Sequence, residues 1–528
     1  MLAPEEGSGF LRTSARLSVV TGAARIAGFA RYIVLGLAVG TTYLGNTYET
    51  ANWVPNIAFE LVAGGMLSAI FVPTFVRELE HGRERGDEIA SALGNTFLLL
   101  SVPVVIAGAF AARPIMLLMT AAVDDPVIRA AQVETGSWFL YVFLPQIPVY
   151  VFAMVSTGIL HAHRRFFAPA AAPLWSSLVV ISAYLTFGAL GAGADLDTVT
   201  PLQRYVLAGG TTAGVTVLAL SQVPSLLRTG VRWRPVLGWN DPAVRRALRG
   251  GLAGFAYFAI SEVGLIVTLL FANRIEGGVV AYRVAFAFFD LPRALIGIPL
   301  AAVLLPTLAE RVVRSDSEGY ARLWSRGWRA ALLLGAPAAA GLVALAPVLA
   351  DALLSRAPSG ASPALVGSTL RVLAVGVPAF VLVEPLIRSF FARHETVPPV
   401  VMNAVSVGVC VSVVVPLTLA LDPQGPRALE VIGLGVAGGH LLGVAVGTIL
   451  LARRVKDWHL GSDIRAAASS VVRAAVMGGV VFGVVRWLDV LPEIEVIVGV
   501  AVGITAYVVL AARNRELWET VRWLRPSR

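Results

Sequence analysis

Two arginines, Arg25 and Arg31, stand inside an apolar stretch near residues 16–39. A guanidinium is a planar fork of donors that grips a phosphate or diphosphate with two parallel hydrogen bonds. Holding a charge near mid-membrane costs at least ~2.5–3.5 kcal/mol, so a chain that keeps two such charges has a use for them. At 100° per residue the pair lies about 120° apart, so both can border a wide polar hollow but not a narrow stripe. The next apolar stretch opens with Glu49, Asn52, Asn56 and Glu60. Steps of three and four residues put all four on one helical face, toward water or protein rather than lipid. Bonding between helices is the competing reading of that face.

A third group is Arg283, Asp290 and Arg293. Arg283 and Asp290 are two turns apart on one face, while Arg293 follows Asp290 at pairing distance, so a structural bridge competes with a binding role. Glu262 and Glu384 read as lone acids inside apolar runs, and Asn403, Thr268 and Ser406 offer hard oxygen atoms. Glu262, Glu384 and Asn403 are therefore the candidate coupling-ion residues. His440 reads as a packed histidine. Cys410 is the only cysteine, which excludes an intrachain disulfide and a cysteine-based metal cluster. Phosphate-loop, zinc-protease and nucleophile-elbow motifs are all lacking. The sequence thus predicts neither an enzyme nor a resident metal or cofactor.

The elements that must position these residues are membrane helices. Hydrophobic residues make up 57% and charged residues 14%. Soluble domains carry roughly 45–50% and about 25%. Continuously apolar runs long enough for a core about 30 Å thick recur along the whole chain, and such runs cross as helices. We place fourteen spans, from 16–39, 48–76 and 90–112 through 248–273 and 279–309 to 466–488 and 491–512. The start is not read as a cleaved signal peptide.

The net charge of +9 comes from arginines in alternate loops, such as Arg83, Arg85, Arg164, Arg165, Arg311, Arg314, Arg453 and Arg454. The intervening loops are poor in them. This asymmetry predicts both termini in the cytoplasm and makes nucleic acid an unneeded partner. The basic loop at 228–249, with Trp233 and Trp239, reads as a plain cytoplasmic loop or as a segment at anionic phospholipids.

An internal repeat adds organisation. GGMLSAIFVPTF (64–75) and GIPLAAVLLPTL (297–308) share Gly, Leu, Ala, Pro and Thr at an offset of 233. The loops RRFFAP (164–169) and RHETVP (393–398) also correspond. The chain is expected to be all-α and polytopic. It would have two six-helix lobes, 1–230 and 231–455, in parallel pseudo-repeat, with a two-helix extension and basic tail at 456–528. Paired halves are a transporter signature.

RIAGFARYIVLGLAVG (25–40), NTYETANWVPNIAFELVAGGMLSAIFVPTF (46–75), FFDLPRALIGIPLAAVLLPTLAE (288–310), HAHRRFFAPAAAP (161–173) and ARHETVPPV (392–400) resemble the MurJ (MviN) family in its high-GC Gram-positive form. That family belongs to the multidrug/oligosaccharidyl-lipid/polysaccharide exporter superfamily. The resemblance implies a flippase in the bacterial cytoplasmic membrane that moves lipid II, or a similar polyprenyl-diphosphate lipid, to the outer leaflet by alternating access. It implies a role in peptidoglycan biosynthesis and cell shape, with cell-wall synthesis proteins as partners.

It further implies arginines on the diphosphate, a groove for the tail on the last two helices, and resetting by Na+, H+ or membrane potential. Arg25, Arg31 and Asp290 fall on the family's charged positions. Asn46 stands where the family has an acid, as do Tyr32 and Gly64. Phe59 and Ala287 replace basic residues, with Arg283 one turn from the latter. These departures keep two alternatives open. One is an exporter of another polyprenyl-linked glycan, or a drug antiporter, although arginines disfavour a cationic cargo. The other is a transport-inactive paralogue that scaffolds the cell-wall machinery.

Overall fold

Continuous apolar runs bond their own backbone, and the chain is helical throughout, with no strand among the described residues. The computed structural model describes residues 4–63, 75, 77–78, 81–242, 244–245, 252–488 and 490–512. In chain order the helices are α1 (Pro4–Ala38), α2 (Tyr43–Ala63), α3 (Arg83–Met119), α4 (Pro126–Phe143), α5 (Gln146–Ala162), α6 (Phe167–Gly191), α7 (Pro201–Leu220), α8 (Val223–Leu227) and α9 (Leu252–Ala272). Then come α10 (Gly278–Pro292), α11 (Ile298–Val313), α12 (Ser317–Leu354), α13 (Pro363–Leu373), α14 (Val377–Ala392), α15 (Val397–Leu421), α16 (Pro426–Arg454), α17 (Leu460–Trp487) and α18 (Pro492–Ala512).

Among the described residues, twelve helical segments are long and apolar enough to cross a membrane. The two further spans expected from the sequence fall on α2, whose continuation at 64–74 lies outside the described residues, and on α9, with its shorter apolar stretch Ala256–Ala272. The repeat segment 64–75 likewise falls almost wholly outside them.

The polypeptide divides into two compact units, Met1–Glu262 and Val263–Arg528. Residues 229–241 lie in the first unit, bonded to α3. Arg83 holds the Thr229 carbonyl, and Asp87, Ser91 and Thr96 accept the backbone N–H groups of Arg232, Arg234 and Gly238. Asn95 donates to the carbonyls of Arg234 and Val236 and accepts from the Trp233 indole at 2.8 Å. Side chains on one face of α3 therefore satisfy an extended strap that has no secondary structure of its own.

Helix starts follow capping chemistry. Asp125 and Ser362 each cap a helix whose first residue is proline, and Thr200 forms a capping box with Gln203 ahead of Pro201. Asp316 accepts the Gly319 N–H at 2.7 Å. That bond, with Arg311 beside it, holds the Asp316 carboxyl below its usual range. α2 is capped from a distance, as Asp195 in the loop after α6 accepts the Leu44 N–H at 2.8 Å.

The ends of α5 and α14 correct the loop register read from the sequence. Arg164 and His394 adopt left-handed backbones, φ 57 and 59. The next residues, Arg165 and Glu395, bond back to the carbonyls of Leu160 and Phe390. These are matching Schellman caps. Arg164 thus pairs with His394, one position away from the pairing of like letters.

On α16, Gly435, Gly439 and Gly443 form a small-residue row against α15, and a Cβ on Gly439 would sit 2.4 Å from the Ser406 carbonyl oxygen. Gly439→Ala is expected to force the two helices apart at about 1–3 kcal/mol and lower the thermal midpoint in detergent. Gly438→Ala, with its nearest neighbour 3.9 Å away, should leave that midpoint unchanged.

The last two helices dock on α12. Ala344 and Leu345 pack with Val481 and Val485, and the Tyr507 hydroxyl donates to the Leu333 carbonyl at 2.7 Å. Asp463, fully buried, takes the Arg329 guanidinium at 2.6 Å, the Ser325 hydroxyl at 2.8 Å and the Trp458 indole at 2.6 Å. Asp463→Ala strips all three of their acceptor. Breaking a buried pair costs about 3–5 kcal/mol, and partial exposure of Arg329 reduces that to ~2–3 kcal/mol. Thermal unfolding of the purified protein checks it.

Candidate functional site: intramembrane charges on α1, α2, α10 and α14

In the first unit, α1 carries Arg25 with an exposed side chain and Arg31 half-buried. Arg31 donates to the Tyr32 hydroxyl at 2.9 Å, with its guanidinium 5.0 Å from that ring's centre. Tyr32, which replaces a family acid, thus supplies an oxygen and a π-face without cancelling the charge. Glu49 and Tyr184 are within Coulombic reach of Arg31.

The α2 stripe runs from Asn46 and Glu49, both buried, through half-buried Asn52 and Asn56 to exposed Glu60. Part of this face bonds within the protein. Asn56 donates to the Asn52 carbonyl at 2.7 Å and accepts the Tyr150 hydroxyl of α5 at 2.9 Å. The Asn52 side-chain oxygen is buried without a hydrogen-bond partner. Below the stripe, the Tyr48 hydroxyl bonds Tyr184 at 2.9 Å and Thr211 at 2.6 Å, pinning α2 to α6 and α7. Phe139 and Phe143 close edge-on around the Tyr48 ring. These buried contacts set the rotation of α2 and hence the direction of its polar face. Glu262, read as a lone acid, is 5% exposed, and its Oε2 is buried without a hydrogen-bond partner.

In the second unit, Pro292 closes α10 and the next five residues, Arg293–Gly297, form a π-helical turn. Proline has no N–H for the carbonyl four residues back, and a wide turn absorbs the mismatch. Gly297 then lets this turn approach α14, since a Cβ there would lie 2.6 Å from the Val381 carbonyl oxygen. That approach brings α14 to the arginine. Arg293 Nε bonds Asp290 at 2.7 Å and its terminal nitrogen bonds Glu384 at 3.1 Å.

Its guanidinium lies 5.1 Å from the centre of Phe380, which stacks on Phe289 and meets His440 at 4.5 Å. The bridge reading of Asp290 and Arg293 therefore holds, and Glu384 is not a lone acid. Arg293, a candidate for substrate binding, and Glu384, a candidate for the coupling ion, thus share one ion cluster with Asp290. Arg283 is half-buried on α10, Asn403 is half-buried on α15, and His440 packs among aromatic rings as expected. Among the described residues no three His, Cys, Asp or Glu side chains converge as a metal ligand set.

A groove of about 500 Å³ runs along α12, α13 and α17, lined by Ala340, Val343, Val375, Val471, Ala475 and Phe482, with Arg371 as its charged residue. Sequence reasoning placed a tail groove on the last two helices by resemblance alone. The groove seen here is walled mainly by α17 and α12, and no sequence signal singled out α12.

The helix arrangement is similar to that of "Lipid II flippase MurJ, inward closed conformation", with a TM-score of 0.78 at 18% identity over 95% of this chain and 99% of that one. It is also similar to the inward-facing conformation of a multidrug resistance MATE family transporter of the MOP superfamily, with a TM-score of 0.65 at 16% identity over 82% and 94%. A multi-pass helical membrane protein of the MOP transporter fold is thereby defined. Residues 36–492 match the family model "Lipid II flippase MurJ", and the chain belongs to that family. A probable lipid II flippase MurJ of Rhizobium meliloti (strain 1021) is 29% identical over 481 residues, 88% of this chain and 84% of the relative. The lipid II flippase MurJ of Burkholderia cenocepacia is 26% identical over 390 residues, 71% and 72% of the two chains.

Proposed function

We propose that this chain carries lipid II, the undecaprenyl-diphosphate-linked peptidoglycan precursor, from the inner to the outer leaflet of the bacterial cytoplasmic membrane. The observation that supports this most is Arg31. It is a membrane-helix guanidinium whose nearest hydrogen-bond partner is a neutral tyrosine. A charge held this way stays available to a diphosphate, whereas Arg293 is spent on two carboxylates. Arg25 and Arg283 would add charge along the path, and the α2 stripe of Asn46, Glu49, Asn52, Asn56 and Glu60 would meet sugar and peptide hydroxyl and amide groups.

The isoprenoid tail would lie in the groove beside α17. An ion or the membrane potential would reset the carrier, with both termini in the cytoplasm. The exposed Trp233 and Trp239 in the basic strap suit contact with anionic phospholipids. Cell-wall synthesis proteins would take the delivered precursor.

The test is rescue of a cell depleted of its own MurJ. Growth and normal shape on expression of this chain would support the reading. The loss of five family charges, at Tyr32, Asn46, Phe59, Gly64 and Ala287, favours a second reading, a transport-inactive scaffold. That reading predicts correct insertion without rescue.

A further inference from the structure

At 37 residues α3 is about 55 Å long, whereas a hydrocarbon core measures about 30 Å. No charged residue lies between Glu88 and Arg113, so the charged start of α3 stands outside the core and the boundary falls a turn or two further on. The strap at 229–241 crosses α3 at this level, bonded to Asp87, Ser91, Asn95 and Thr96.

Trp233 is set into the helix there. A Cβ on Gly94 would lie 2.4 Å from the indole ring, so only a glycine leaves room for it. Asn95 takes the indole N–H, which satisfies the polar atom from within the protein, and the apolar body of the ring stays 41% exposed. With Leu99, Val102, Pro235 and Leu237 the ring lines a shallow groove of about 550 Å³. Leu99 and Val102 are exposed and lead on to exposed Val104, Ile106 and Phe110, an apolar surface for acyl chains.

The polar rim of this groove carries charge of one sign. From Arg228 to Arg245 there are four arginines and a single acid, Asp241, which is bonded to Arg85 at 2.6 Å. Nearby acids on α3 are engaged as well, Asp87 with the Arg232 backbone N–H and Glu88 with Arg85. The Arg228 and Arg232 side chains are exposed, and Arg245 bonds the neutral oxygens of Trp239 and Asn240. Arg234 lies 3.6 Å from Glu84, whose side chain is 90% exposed, so water screens that pair.

We propose that this groove is a binding site for one anionic glycerophospholipid of the leaflet beside the strap. An acyl chain lies along Leu99 and Val102 against the Trp233 ring, and the phosphate is held by Arg232 and Arg234. A zwitterionic lipid fits the same groove but brings its own cation to an arginine rim. Bound there, the lipid ties the strap to the leaflet and fixes the depth of α3. The proposal gives a site to the phospholipid contact inferred above and does not depend on what the protein carries.

The experiment reads Trp233 fluorescence in the full chain in phosphatidylcholine nanodiscs without lipid II. The quencher is phosphatidylglycerol or phosphatidylcholine brominated on the acyl chain, and subtracting the signal of W233F isolates this indole. Quenching that saturates at a several-fold lower fraction of phosphatidylglycerol than of phosphatidylcholine, with that preference lost in R232A/R234A, is the expected result. Equal quenching by the two lipids means contact with bulk lipid and overturns the site, as does a preference that survives in R232A/R234A. Release of the brominated phosphatidylglycerol by equimolar lipid II overturns it too, because the groove then belongs to the cargo.

Where W233F does not fold, native mass spectrometry replaces the subtraction. Phosphatidylglycerol retained by the unaltered chain and shed from R232A/R234A supports the site, and equal retention overturns it. An intact lipid preference in a chain that fails to rescue MurJ-depleted cells counts against the carrier reading alone.

Discussion

Arg31→Ala abolishes rescue of a MurJ-depleted cell while the protein still reaches the membrane in normal amount. Each charge-assisted hydrogen bond is worth about 1.5–3 kcal/mol, so losing a bidentate grip on a diphosphate weakens cargo binding by ~100-fold or more. Neither Arg25 nor Arg293 reproduces the Arg31 position. Arg25 lies about a third of a turn away around α1, and Arg293 is tied to Asp290 and Glu384. Arg31→Lys keeps the charge but loses the planar fork and the fit over Tyr32, so it should rescue only in part. The check is plating efficiency at matched membrane levels. Full growth with both Arg25→Ala and Arg31→Ala would show that neither arginine handles the cargo.

Arg293→Ala acts on stability rather than cargo. It leaves Asp290 and Glu384 without the guanidinium that joins them; a buried pair would lose about 3–5 kcal/mol, and the half-exposed state of all three groups reduces that to ~1–2 kcal/mol. The π-helical turn that presents Arg293 loses its anchor to α14 as well. The thermal midpoint in detergent should fall by a few degrees. Adding Asp290→Asn and Glu384→Gln in the same protein should recover most of the loss, because the repulsion is then gone. An unchanged midpoint for Arg293→Ala would mean the triad contributes nothing net.

What could be read in the sequence followed one physical boundary. Periodicity tells which residues share a helical face, so the α2 stripe and the Asp290–Arg293 pair were both visible. It does not tell which helix a face meets. Glu384 reaches Arg293 across 91 positions, and Asp195 caps α2 across 151. Tyr150 on Asn56 belongs to the same class of long-range contact. The strap at 229–241 was legible as a basic loop. Its attachment was not, because Asp87, Ser91 and Asn95 look like ordinary polar residues at the start of a long helix.

The repeat loops show a subtler limit. Like letters align Arg164 with Arg393, yet the left-handed backbone sits at Arg164 and His394. Cap geometry constrains the backbone and leaves side-chain identity free. The groove between α12 and α17 has no signal in the sequence, since alanine-rich α12 reads only as apolar.

The most direct test of the account follows lipid II itself. In cells depleted of their own MurJ and expressing this chain, the fraction of lipid II reached by a membrane-impermeant reagent reports delivery to the outer leaflet. The account requires that fraction to return to the undepleted level with the unaltered chain and to collapse with Arg31→Ala. Lipid II still sheltered on the inner face, with the chain inserted at normal abundance, would contradict it.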